Sequence, residues 1–134
     1  MSNIQAILFD FDGVIFKDAS SENSLELVDN IQKTLEALAD VKKAICSNND
    51  IYDIKEKIEK VDFTKHFNVL VGAGKKPKPH PEVFLKGALG LQVDRYNCLA
   101  VDDSVTGLTA AIESGAIAVE IGRAHVWTPV TWND

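Results

Sequence analysis

The 134-residue chain is long enough for one domain with a sizeable core and too short for two ordinary ones. Its composition, 46% apolar and 25% charged, is that of a soluble globular protein, and a net charge of −6 gives no long-range attraction for nucleic acid or an anionic membrane. No stretch approaches the ~20 apolar residues of a membrane span, no secretion signal opens the chain, and Cys46 and Cys98 each sit in an apolar run, so a reduced, cytoplasmic protein is expected.

In chain order, Ile4 to Phe9 is an apolar run of strand length that ends at Asp10-Phe11-Asp12-Gly13. Val14 to Ser24 reads as a polar, irregular loop, and Ser24 could cap a helix in which Leu25, Val28, Ile31, Leu35 and Leu38 recur at helical spacing. Val41 to Cys46 is a second strand, closed by Ser47-Asn48-Asn49-Asp50. The charged segment Ile51 to Val61 is an amphipathic helix with Ile51, Ile54, Ile58 and Val61 on one stripe. Asn68 to Val71 is a third strand. After the proline-rich stretch from Lys75, Pro81 suits the first turn of a helix running to about Leu89. Asn97 to Val101 is a fourth strand, ending at Asp102-Asp103-Ser104. A small-residue helix follows over Val105 to Glu113, and Ala116 to Glu120 is a fifth strand.

Alternating strands and helices predict an α/β fold: a three-layer, doubly wound, mostly parallel sheet of about five strands with helices on both faces. Buried parallel strands read as continuous apolar runs, and such sheets bind ligands beyond the carboxyl ends of their strands. Three of these strands deliver oxygen-bearing groups at that end: Asp10 and Asp12, then Ser47, then Asp102 and Asp103. Four carboxylates at one mouth repel each other, so they must take up protons or meet a cation. An all-oxygen set suits Mg²⁺ better than Zn²⁺, and His66, His80 and His125 form no ligand pair. Lys78 and the Ser47 hydroxyl complement an anion such as phosphate. A nucleophile, an acid/base, a metal and phosphate-holding groups are the parts needed to move a phosphoryl group through an aspartyl-phosphate.

Four motifs in this order resemble those of the haloacid-dehalogenase-like superfamily of hydrolases, in particular its β-phosphoglucomutase-like phosphatase branch. They are Asp10-Phe11-Asp12-Gly13-Val14, Ser47-Asn48-Asn49, Lys78-Pro79-His80-Pro81-Glu82-Val83-Phe84, and Val101-Asp102-Asp103-Ser104-Val105-Thr106-Gly107. The resemblance implies a Rossmann-like core and a Mg²⁺-dependent phosphomonoesterase acting on a small phosphorylated metabolite. Asp10 would attack phosphorus and bind Mg²⁺ through its other oxygen. Asp12 would protonate the leaving alcohol and later activate water, with its backbone carbonyl on the metal. Ser47 and Asn48 would hold phosphoryl oxygens, and Lys78 would bridge Asp10 and the phosphate. Asp103 would bind Mg²⁺ directly, and Asp102 directly or through water.

The duller readings are local. Ser47 could be a turn or helix cap, Asp103 or Ser104 could cap the next helix, His80 has no assignable role, and Gly107 permits close helix–sheet packing. The chain also departs from the branch in two ways. Asp10 and Ser47 lie 37 positions apart, so the helical cap that usually separates these motifs does not fit. Specificity must then come from the Val14–Asn23 loop, from a partner chain covering the mouth, or from a large substrate. Residues 121–134 read like a translated sequencing adapter, so residues 1–120 are taken as the core domain and the remainder as a non-native tail. The competing view is a genuine edge strand bearing Val126 and Trp127. The rival functions are a phosphosugar mutase, a non-enzymatic phospho-acceptor domain and an inactive fragment. A phospho-acceptor of the receiver type would carry its acid pair and acceptor on different strands, unlike the Asp10-x-Asp12 spacing.

Overall fold

In the computed structural model, which describes residues 3–17, 25–122 and 127–130, the apolar runs form one six-stranded sheet. Its strands are β1 (Ala6–Phe9), β2 (Lys42–Cys46), β3 (Val69–Val71), β4 (Cys98–Asp102), β5 (Ile117–Ile121) and β6 (Trp127–Pro129). The first five pair parallel, and β6 pairs antiparallel with β5, opposing Trp127 to Ile121. Helices α1 (Ile31–Ala37), α2 (Ile51–Lys60), α3 (Glu82–Leu91) and α4 (Val105–Ser114) lie between the strands in sequence. The doubly wound α/β reading therefore holds, with β6 as a sixth strand. Among the described residues no helix is long and apolar enough to cross a membrane.

Side chains alternate across a strand, so β1 feeds two cores. Ile7 and Phe9 join Ile45, Val101 and the α1 and α2 residues Ile31, Leu35, Ile54 and Ile58. Ala6 and Leu8 join Ala44, Cys46, Ala100 and the α3 and α4 residues Phe84, Ala88, Leu108 and Ala111. The second face is built from small residues because its helices lie close. A Cβ on Gly87 of α3 would stand 2.5 Å from Cys46 Sγ.

The strand order β3-β2-β1-β4-β5-β6 fixes where a ligand can bind. From β1 the chain winds outward to β2 and β3, then crosses back to β4 on the other side. The sheet thus reverses direction between β1 and β4, and a crevice opens beyond their carboxyl ends. Asp10 follows β1 and Asp102 closes β4.

Two expectations fail between β1 and β2. The segment after Asp12 is not a polar loop, since Val14, Ile15 and Phe16 are each 0% exposed. The Phe11 carbonyl accepts the amides of Val14, Ile15 and Phe16, which folds them beneath the sheet's end. The helix is also shorter than its periodicity predicts. Residues 25–28 are not helical: Phe16 pairs antiparallel with Leu27, and Lys17 N and Val28 N donate to Glu26 O and Ile15 O. These bonds occupy the backbone that a helix would need, and α1 starts only after Asn30, whose φ of 64° breaks any helix running through it. Ser24, the expected cap, lies outside the described residues.

Candidate active site

The acids and Ser47 stand where strands stop, and Lys78 reaches them from the segment before α3. Asp10 N donates to Val101 O at 2.9 Å, so the β1–β4 ladder continues into the aspartate and aims it at the crevice. Ser47 N donates to Val71 O at 3.0 Å and does the same for β2. The Ser47 hydroxyl accepts from Asn49 N at 3.0 Å, the local turn that its sequence permits, and it still lines the cleft. The α2 cap is Asp50, which accepts from Tyr52 N at 2.8 Å. Asn48 Oδ1 accepts the Lys78 amide at 3.0 Å and so ties two of the motifs together.

Lys78 is the cation at the floor of the cleft. Its ammonium donates to Asp10 Oδ1 at 2.9 Å and to Asp102 Oδ2 at 2.8 Å, with its side chain only 5% exposed. The same nitrogen lies 4.7 Å from the centre of the Phe84 ring, a favourable cation–π contact. Burial works against the Lys78 charge, but Asp10 and Asp102 together outweigh it and raise its pKa above the ordinary lysine value.

Asp102 is 0% exposed and acts as an organiser. Its Oδ1 accepts from Asp103 N at 2.8 Å and from Ser104 N and Oγ, each at 3.1 Å. The Ser104 hydroxyl accepts from Gly107 N at 3.0 Å and caps α4, which leaves Asp103 facing the cleft. Two glycines make room for these acids. A Cβ on Gly107 would overlap the Asp102 carboxylate, and one on Gly13, whose φ is 80°, would overlap that of Asp103. Gly107 therefore spares an acid of the site rather than merely easing helix–sheet packing. His80 has a structural task, since its Nδ1 accepts from Glu82 N at 3.1 Å in the first turn of α3.

Asp10, Asp12, Ser47, Asn48, Lys78 and Asp103 line one cleft of about 400 Å³, with Asp102 directly behind it. Lys17, Asn49 and Thr106 also line it. No motif pointed to Lys17, whose position depends on the pairing of residues 15–17 with 26–28. The tetrad of acids is electrostatically tense. Burial, opposed by Lys78 and reinforced by Asp102, pushes the Asp10 carboxyl up to about 8. Burial and then repulsion from Asp102 also raise Asp103.

A divalent cation fits this arrangement. Among the described residues, one oxygen each from Asp10, Asp102 and Asp103 falls within 4.8 Å of the others. Hard oxygen donors of this kind suit Mg²⁺.

A family profile described as haloacid dehalogenase-like hydrolase matches residues 14–121. The chain belongs to this family of hydrolases. It is 34% identical over 92 residues to a bifunctional riboflavin kinase/FMN phosphatase of Arabidopsis thaliana, covering 63% of this chain and 24% of that protein. It is 35% identical over 69 residues to hexitol phosphatase B of Escherichia coli K12, covering 50% of this chain and 31% of the relative. The chain thus spans less than a third of either relative. Among solved structures, β-phosphoglucomutase from Clostridium difficile superposes with a TM-score of 0.77 at 18% identity, over 90% of this chain and 85% of that one. At that identity the likeness speaks for the fold alone.

Proposed function

We propose that this chain is a Mg²⁺-dependent phosphomonoesterase that works through a phosphoaspartyl group on Asp10, with a small phosphorylated metabolite as substrate. One observation carries the reading: at the β1–β4 reversal, Asp10 meets Lys78 at 2.9 Å while Asp12 and Ser47 face the same cleft.

The Asp10 carboxylate attacks phosphorus and forms a new O–P bond as the ester O–P bond breaks. Asp12 gives its proton to the departing alkoxide. It then takes a proton from the water that attacks phosphorus, which breaks the acyl-phosphate bond and releases Asp10. The unpartnered Asp12 oxygen leaves that carboxyl available for proton transfer. Lys78 holds Asp10 in place and offsets charge on the transferring group. The Ser47 hydroxyl and Asn48 receive the phosphoryl oxygens. Asp10, the Asp12 carbonyl and Asp103 would hold Mg²⁺, with Asp102 supporting the set from behind because its oxygens already serve Lys78 and the Ser104 turn. When bound, the cation supplies positive charge that keeps Asp10 ionised and stabilises charge on phosphorus.

The names of the relatives favour phosphate-ester hydrolysis over a binding role. The short span between Asp10 and Ser47 favours hydrolysis over a mutase reaction, since a mutase must shield its phosphoenzyme from water. It also leaves room for a partner chain at the mouth. Hydrolysis of p-nitrophenyl phosphate is expected to need Mg²⁺, to stop on chelation, and to fall more than roughly a thousandfold in Asp10→Asn. Turnover that survives either treatment would count against the reading. Residues 121–134 are further read as a non-native tail. Sequencing the source DNA across codons 115–134 tests this, and an uninterrupted natural template would refute it.

A further inference from the structure

The connection from β3 to α3 delivers one buried residue to the cleft. Across residues 73–80 every residue is exposed except Lys78. A segment with so few packing contacts opens easily, so something else must hold the Lys78 ammonium in place.

The fastening comes from the turn after β2, where three consecutive residues take part. Ser47 N donates to Val71 O at 3.0 Å, and Asn49 O accepts from Ala73 N at 2.7 Å. These two bonds secure the start of the connection. Asn48 Oδ1 accepts from Lys78 N at 3.0 Å and secures Lys78 itself. Residues 74–77, between the two anchors, are all exposed. The type of acceptor matters as well. Asn48 lines the cleft with Asp10, Asp12 and Asp103, so a carboxylate here would add a fourth negative charge facing phosphate. An amide oxygen accepts the same bond and stays neutral.

We infer that Asn48 is a positioning residue. Its side chain holds the Lys78 amide so that the ammonium stays between Asp10 and Asp102, at 2.9 and 2.8 Å. Its contribution to phosphoryl transfer passes through Lys78 rather than through a contact of its own side chain with phosphate. That catalytic half rests on the phosphatase reading; the coupling of the two residues does not.

Acetylation of amines in the whole chain, read by mass spectrometry, tests the coupling without any substrate. Lys43 is the internal control, since it is 2% exposed with its ammonium on Leu38 O and Val41 O, and unfolding would expose both lysines. Asn48→Leu keeps the volume and deletes the acceptor. In it Lys78 should label at least roughly fivefold faster relative to Lys43, the change in local opening expected for one lost hydrogen bond. Asn48→Asp keeps the acceptor and should leave Lys78 protected, although hydrolysis falls. A double-mutant cycle with p-nitrophenyl phosphate reads the catalytic half. Asn48→Leu should lower kcat/KM at least roughly tenfold when Lys78 is present and less than about threefold in Lys78→Met, because it acts through a group already gone. Unchanged Lys78 labelling in Asn48→Leu, labelling in Asn48→Asp as fast as in Asn48→Leu, or equal losses in the two backgrounds would overturn the inference and leave the phosphatase reading intact. If p-nitrophenyl phosphate is not hydrolysed at all, the phosphatase reading fails instead, and the labelling still decides whether Asn48 holds Lys78.

Discussion

The floor and the rim of the cleft use the same device under opposite conditions. At the floor, one ammonium, Lys78, joins two carboxylates, Asp10 and Asp102, with side-chain exposures of 5%, 13% and 0%. At the rim, one ammonium, Lys17, joins Asp29 and Glu26, with exposures of 35%, 63% and 68%. Water screens the rim, so its pairs cost little to break. The floor is screened far less, so removing any partner leaves uncompensated buried charge. The floor therefore fixes the reacting groups, and the rim is where specificity can change without loss of the fold.

The sharpest break comes from Lys78→Met, which keeps the volume and deletes the charge. It should cost about 3–5 kcal/mol of stability in urea unfolding, as for other buried pairs that lose one partner. Gly107→Ala comes next, because the new methyl overlaps the Asp102 carboxylate. A loss of about 1–3 kcal/mol, the usual range for overpacking, and reduced hydrolysis are expected. An unchanged urea midpoint in either variant would show that the floor tolerates disruption.

Asp103→Asn should act in the other direction on the metal-free protein. Its carboxyl titrates above the ordinary value because of burial and Asp102. The folded state therefore binds this proton more tightly than the unfolded chain does. The stability so gained is present at low pH and lost as pH rises through the folded pKa. Removing the charge should raise the melting temperature at pH 8 more than at pH 5, while hydrolysis falls. A variant less stable than wild type at pH 8 would contradict this. The smallest effect belongs to the rim: Lys17→Ala should change stability by less than about 1 kcal/mol. A larger loss would erase the contrast between the two triads.

Most of this frame was legible in the sequence because its elements obey simple periods. The runs ending at Phe9, Cys46 and Val101 are strands in near-identical registers, so the oxygen-bearing residues after them had to meet. The segment from Val14 to Leu38 was not legible. Val14, Ile15 and Phe16 follow a turn, where a buried cluster has no periodic signature. Leu25, Val28 and Ile31 have helical spacing, but backbone pairing with residues 15–17 overrides it. Lys17 reaches the cleft only through that pairing. The tasks of Gly13 and Gly107 depend on distances that no linear motif expresses.

Rapid quenching during turnover of p-nitrophenyl phosphate, followed by peptide mapping of the acid-stable fraction, reveals which residue carries the phosphoryl group. A phosphoryl group is expected on the peptide containing Asp10, present with Mg²⁺ and absent in Asp10→Asn. A phosphoryl group on any other residue, or steady turnover with no covalent adduct at any quench time, would contradict it.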